Sequence, residues 1–203
     1  MKSNDELFQI LMERAASQKY IHPEDIPGIE LYMDQVTTFM GSRLRNSSRN
    51  PEEDKILTKT MINNYAKNHL LPSPEKKKYT KEHIMVLMFI YYFKNILSIG
   101  DIQSILNPLT ERYFAAGKEL DLEKIYEEVF SLEKGQIDQL KECLTNDYQR
   151  ALGTFTEEAE ADKDFLQLFS FICMLSYDIY IRKQIIEKIV DTLPKAEDKK
   201  TEK

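Results

Sequence analysis

Lys59, Asn63 and Lys67 recur at i, i+4 and i+8, so a helix sets them on one face, with Asn64 beside them. Leu70-Leu71-Pro72 follows, then a second proline at 74, then Lys76-Lys77-Lys78-Tyr79. Ammonium groups neutralise phosphates and release counterions, which gives affinity without reading sequence. A carboxamide can read sequence, because it pairs with adenine N6 and N7 together. The stretch therefore carries the chemistry of DNA binding. Lys59, Asn63, Asn64 and Lys67 are the candidates for groove contacts. Lys76, Lys77, Lys78 and Tyr79 are the candidates for a flanking contact.

The surroundings sharpen this reading. The whole chain of 203 residues has a formal net charge of -6. Between Lys55 and Lys94, however, eight lysines face only Glu75 and Glu82, so this block is +6 and the remainder -12. Such a polarity favours a local polyanion contact in an otherwise acidic protein.

Other chemistry has little material. His22, His69 and His83 are scattered, and none stands in a spacing that marks a nucleophile–base pair or a metal site. Cys143 and Cys173 sit singly on helical patterns, outside any CxxC or CxxH spacing. There is no Gly-rich phosphate loop. The expectation is a non-enzymatic protein with no metal and no cofactor, and no residue pattern announces a small-molecule effector.

The elements that must position the lysines are helical. Leucine, isoleucine, lysine and glutamate dominate, while glycines and prolines are few. Ser3-Asn4-Asp5-Glu6 has the form of a capping box and opens a first helix, expected to end near Lys19. His22-Pro23 and Ile26-Pro27-Gly28 form a turn. A second helix is expected from about Ile29 to Arg45, and a polar loop runs from Arg45 to Asp54. Thr58 is the expected N-cap of the short helix that carries Asn63, with Met61, Ile62 and Tyr65 inward. Lys76–Tyr79 reads as a short extended segment, and no other strand is evident. Thr80 opens a helix whose run from Ile84 to Phe93 is apolar nearly all round, as befits a central buried helix. Ser98-Ile99-Gly100-Asp101 opens another, expected to stop at Pro108.

The second half differs in character. Asp121 is a candidate N-cap, with a break expected near Gly135. A long helix is expected over 163–193. On it Phe165, Leu168, Ile172, Leu175, Ile179, Arg182, Ile186, Ile189 and Leu193 form a seam at spacings of three and four. Its most apolar run, Phe165–Ile181, is shorter than the roughly 20 residues a membrane span needs. With a polar N-terminus, this places the chain in the cytoplasm, away from membranes. Residues 194–203 read as a disordered charged tail.

Four of these pieces in order resemble the N-terminal domain of MerR-type regulators, a winged helix-turn-helix family. Tyr65 with Leu70-Leu71-Pro72 matches the end of that family's recognition helix. Lys77-Lys78-Tyr79 matches the end of its wing, and Thr80 with Glu82 opens the next helix. Leu97-Ser98-Ile99-Gly100-Asp101-Ile102 with Ile105-Leu106 matches its last element. The chain departs from the pattern where Asn63-Asn64-Tyr65 stands in place of Arg-Tyr-Tyr, where His69 replaces glycine, and in the long loop 45–54. Most of the sequence also resembles a YkrK-like family of uncharacterised Firmicutes proteins, a domain of unknown function.

The resulting expectation is an all-α protein: an N-terminal helix and turn (1–28), a MerR-like winged helix-turn-helix module (29–106), and a helical dimerisation or sensing domain (109–193). The resemblance implies a transcriptional regulator that binds double-stranded DNA, with a homodimer formed through 163–193. The competing expectation is a helical protein–protein interaction module that keeps the winged fold without DNA binding.

Overall fold

The computed structural model describes residues 3–17, 20–115, 117, 119–132 and 135–193. The chain is mostly helical, with one two-stranded sheet among the described residues. It divides into two compact units: Met1–Lys19 with Phe130–Ile185, and Tyr20–Val129 with Ile186–Lys203. The proposed tail, 194–203, lies outside the described residues.

In the first unit, α1 (Asn4–Ala16) begins at the expected box: Ser3 Oγ accepts from the Glu6 N–H, and Glu6 Oε2 accepts from the Ser3 N–H. Its one buried side chain, Phe8, stacks on Tyr148 with ring centroids 4.2 Å apart, and Phe171 meets it edge-on at 6.1 Å. Tyr148 belongs to α7 (Gln136–Leu152) and Phe171 to α8 (Glu160–Val190). The Tyr148 hydroxyl donates to Asp5 Oδ1 at 2.9 Å; burial, then that carboxylate, push its pKa up. The expected break is present, for α6 (Leu122–Ser131) ends before Gly135, whose φ of 94° suits glycine at the N-cap of α7.

In the second unit, α4 (Lys81–Phe93) is the central element, with every residue from Ile84 to Ile90 buried. A helix apolar all round must be enclosed by neighbours. α5 (Ile99–Tyr113) packs on it. From α6, Tyr126 sets its ring edge-on to Phe89 at 5.5 Å and donates its hydroxyl to the Ile21 carbonyl at 2.8 Å. Lys81 at the start of α4 meets Glu123 of α6 at 2.6 Å.

Three expectations change. First, Leu31–Tyr32 forms a strand, β1, antiparallel to β2 (Lys78–Tyr79), with Leu31 opposite Tyr79 and Tyr32 opposite Lys78. The second helix, α2 (Met33–Leu44), consequently starts after this strand and not at Ile29. Second, α5 does not stop at Pro108. The ring removes the N–H that would reach the Ser104 carbonyl, but that is one bond in a fifteen-residue helix, and Thr110 Oγ1 supports the next turn by donating to the Leu106 carbonyl. Third, α8 spans 31 residues, and its stretch Asp162–Val190 is long and apolar enough, by length and composition, to cross a membrane. Asp178, Arg182 and Lys183 interrupt its C-terminal half, and charges are costly at bilayer depth.

Candidate nucleic-acid interface

The short helix α3 (Lys59–Lys67) starts where expected, with Thr58 Oγ1 accepting from the Met61 N–H at 3.1 Å. Ile62 and Tyr65 are buried and Met61 half-buried, so the opposite face is outward. Lys59, Asn63, Asn64 and Lys67 are all exposed there. Among the described residues, no hydrogen bond or ion pair engages the Asn63, Asn64 or Lys67 side chains.

The helix ends on a tight cap. His69 adopts φ 56°, its N–H reaches the Ala66 carbonyl, and the Leu70 N–H reaches back to the Tyr65 carbonyl at 2.9 Å. This is a Schellman motif with histidine in the left-handed position usually held by glycine. The departure at His69 thus keeps the glycine's conformation and not its chemistry. Gln103 of α5 also donates to the Asn68 carbonyl at 2.5 Å, tying the end of α3 to α5.

The three lysines occupy a tight turn. The Lys78 N–H donates to the Glu75 carbonyl at 2.8 Å, and the central residues Lys76 and Lys77 have φ of 48° and 64°. Two positive φ values in succession describe a type I′ turn, for which Asn-Gly is the ordinary choice. Here two lysines hold it, at a cost of about 1–2 kcal/mol each against the left-handed penalty. Both side chains project into solvent. β2 then alternates, with Lys78 outward and Tyr79 inward.

Of the eight residues expected at DNA, Tyr79 is the one turned into the core. It is 3% exposed, its ring meets His83 edge-on at 5.5 Å, and burial raises its pKa. His83 is itself buried, and its ring and that of Phe114 meet edge-to-face at 4.8 Å. Its Nδ1 accepts from the Thr80 N–H at 3.0 Å, so the ring proton sits on Nε2, which makes no hydrogen bond among the described residues. Burial lowers the His83 pKa, and the Glu82 carboxylate offsets part of the shift. His83 therefore backs the lysine turn as a neutral ring.

Two further groups on this face escape sequence reasoning. Glu30 Oε2 accepts from Lys78 Nζ at 2.9 Å, and this contact is the main cause of the raised Lys78 pKa. Asp34, at the start of α2, pairs with Lys59. The only sequence signal is the spacing of the two carboxylates around Leu31 in Glu30-Leu31-Tyr32-Met33-Asp34. It acquires meaning only once β1 pairs with β2. The two lysines, from α3 and from β2, thus converge on one five-residue segment. Among the described residues, no group of three or more histidine, cysteine, aspartate or glutamate side chains gathers as a metal site.

Residues 21–129, just over half of the chain, match the family described as a domain of unknown function, DUF1836. The chain belongs to that family. The DUF1836 region coincides with the segment Tyr20–Val129 of the second unit, so it holds both α3 and the lysine turn and excludes α8. No curated protein and no solved structure matches the chain.

Proposed function

We propose that the protein is a DNA-binding transcriptional regulator whose DUF1836 region works as a winged helix-turn-helix of MerR-like kind. In this reading α2 and α3 are the helix pair and the turn at Lys76–Lys77 is the wing tip. One observation carries it: Lys59 of α3 and Lys78 of β2 reach the same short segment, Glu30–Asp34. Five residues span at most about 18 Å of extended chain, so the two cationic elements present one surface. Asn63 and Asn64 supply base-edge donors and acceptors on it, and Lys76, Lys77 and Lys67 supply phosphate contacts. The protein acts without catalysis or a cofactor, and in the cytoplasm. The test is fluorescence binding to mixed genomic DNA fragments at two salt concentrations. Binding that weakens steeply with salt is expected; none at low salt would sink the reading.

We further propose that it acts as a homodimer through 163–193. The expected seam divides in the fold. Leu168 and Leu175 are half-buried, Leu175 against the Phe8–Tyr148–Phe171 core, whereas Phe165, Ile172 and Ile179 are more than half exposed. Phe169 and Tyr180 widen this exposed stripe. Light scattering at micromolar concentration should give a dimer, and Ile172→Glu a monomer. A wild-type monomer overturns the dimer, and capture of α8 by lipid vesicles would assign the stripe to a membrane surface.

A second reading has an observation of its own. The carboxylates of Glu30 and Asp34 neutralise two of the candidate lysines, and α3 carries no arginine. A protein–protein interaction module that keeps the fold without DNA binding would have this property. The same salt-dependent titration separates the two.

A further inference from the structure

The loop after α2 and the end of α4 line an open cavity of about 310 Å³. Arg49, Lys55 and Lys94 line it, against one carboxylate, Asp54. Asp54 is already committed, since its Oδ2 accepts from the Asn50 N–H at 2.9 Å. Among the described residues, no carboxylate lies within ion-pair distance of the three cations.

The hydroxyls in the wall are spent. Ser47 Oγ donates to the Leu44 carbonyl at 2.6 Å, so the 2.8 Å contact between Ser47 and Tyr91 uses the Tyr91 proton. The donors left facing the cavity are the three cations and the Asn95 amide. Lys94 is the most telling of these. Its half-buried ammonium gives one proton to the Ile56 carbonyl at 2.9 Å and lies over the Tyr91 ring at 5.0 Å. Burial lowers its pKa, and among the described residues no carboxylate pairs with it. A carbonyl and a ring face compensate an ammonium only in part.

We propose that this cavity is an anion site that takes a phosphoryl group, held by Arg49, Lys55 and Lys94. Arginine offers a fork to two phosphoryl oxygens, while the lysines act as point charges. The volume accommodates a phosphate with a small body attached. The group comes either from a small phosphorylated molecule or from a nucleic-acid backbone phosphate. The site stands on the cavity alone and does not depend on the reading of α3.

The probe is inorganic pyrophosphate, titrated into the full chain while the Lys94 side-chain resonance is followed by NMR at fixed ionic strength. Saturable binding is expected, with the Lys94 titration moving to higher pH. The double variant Arg49→Ala/Lys55→Ala should weaken it at least tenfold. Both residues are exposed and lie outside the core, so the fold should survive; Arg49→Lys/Lys55→Arg should restore much of the binding. A second arm measures duplex DNA binding by the same variant. Parallel loss assigns the phosphoryl group to a nucleic-acid backbone, and loss for pyrophosphate alone assigns it to a small molecule. No saturable Lys94 response, or a double variant that binds pyrophosphate as the wild type does, overturns the site.

Discussion

Lys59, the first residue of α3, is paired with Asp34, the second residue of α2, across the helix pair. Both side chains are largely exposed, so the pair adds little stability, on the order of 0–1 kcal/mol. Its effect falls on what Lys59 can do next. If α3 binds DNA as proposed, a phosphate reaching Lys59 would displace the Asp34 carboxylate, and one reaching Lys78 would displace that of Glu30.

Replacing the carboxylates should therefore strengthen DNA binding. Asp34→Asn and Glu30→Gln are each expected to raise affinity about threefold to tenfold at low salt, since each frees a lysine and removes a like charge from the phosphates' path. Fluorescence anisotropy on genomic fragments checks this. Weaker or unchanged binding in both variants would mean that the Lys59–Lys78 face is not where DNA sits.

At the lysine turn, stability and affinity should move in opposite directions. Lys76→Asn/Lys77→Gly supplies the residues a type I′ turn prefers and should stabilise the fold by about 1 kcal/mol. On the proposed reading of this turn as a wing tip, the same change deletes two phosphate contacts. Affinity should fall about tenfold, with a salt slope shallower by about 2. Denaturant titration and salt-dependent binding read the two effects separately.

A purely structural test lies at the end of α3. His69 holds φ 56° at a position that needs no side chain for its cap. His69→Gly relieves the left-handed penalty but loosens the unfolded chain, and the net gain is expected at about 0.5–1 kcal/mol, or a few degrees in Tm. A loss of stability would instead give the imidazole a contact role that the fold does not otherwise indicate.

His83 predicts a pH dependence with a definite sign. Its folded pKa is depressed below the ordinary value of 6.5, so the unfolded chain binds the proton more readily. Its stabilising contribution is complete above pH 6.5 and is lost as pH falls through the depressed folded value. Thermal melts from pH 7.5 downward should show Tm declining below 6.5. In His83→Gln that part of the decline should flatten, while the carboxylate-driven loss at lower pH persists. An equal slope in both proteins would show that His83 titrates normally.

What was legible in the sequence was what depends on neighbours in the chain. The boxes at Ser3–Glu6 and Ser98–Asp101 close within four residues, and both form as read. The apolar run of α4 is buried as read, because a helix with no polar face has nowhere else to go. β1 was not legible. It is two residues long, and its partner lies 47 positions away, so neither alternation nor turn chemistry announces it. The carboxylates at Glu30 and Asp34 were missed for the same reason, since their meaning depends on that pairing. Tyr79 was placed with the lysines by its position beside them. In β2, one residue's step turns a side chain from solvent to core.

The stacked pair Phe8 and Tyr148 also bears on how the chain is made. α1 is synthesised before α7 and α8, yet the aromatic rings that cover its buried face come from residues 148 and 171. At about 5–20 residues per second, Phe8 waits roughly 8–30 s for Phe171 to be added. Through that interval the contiguous segment Tyr20–Val129 of the second unit is made, while Phe8 lacks its aromatic partners. The nascent chain therefore has a long window in which α1 is open to chaperones, and the first unit closes only after α8 has been added.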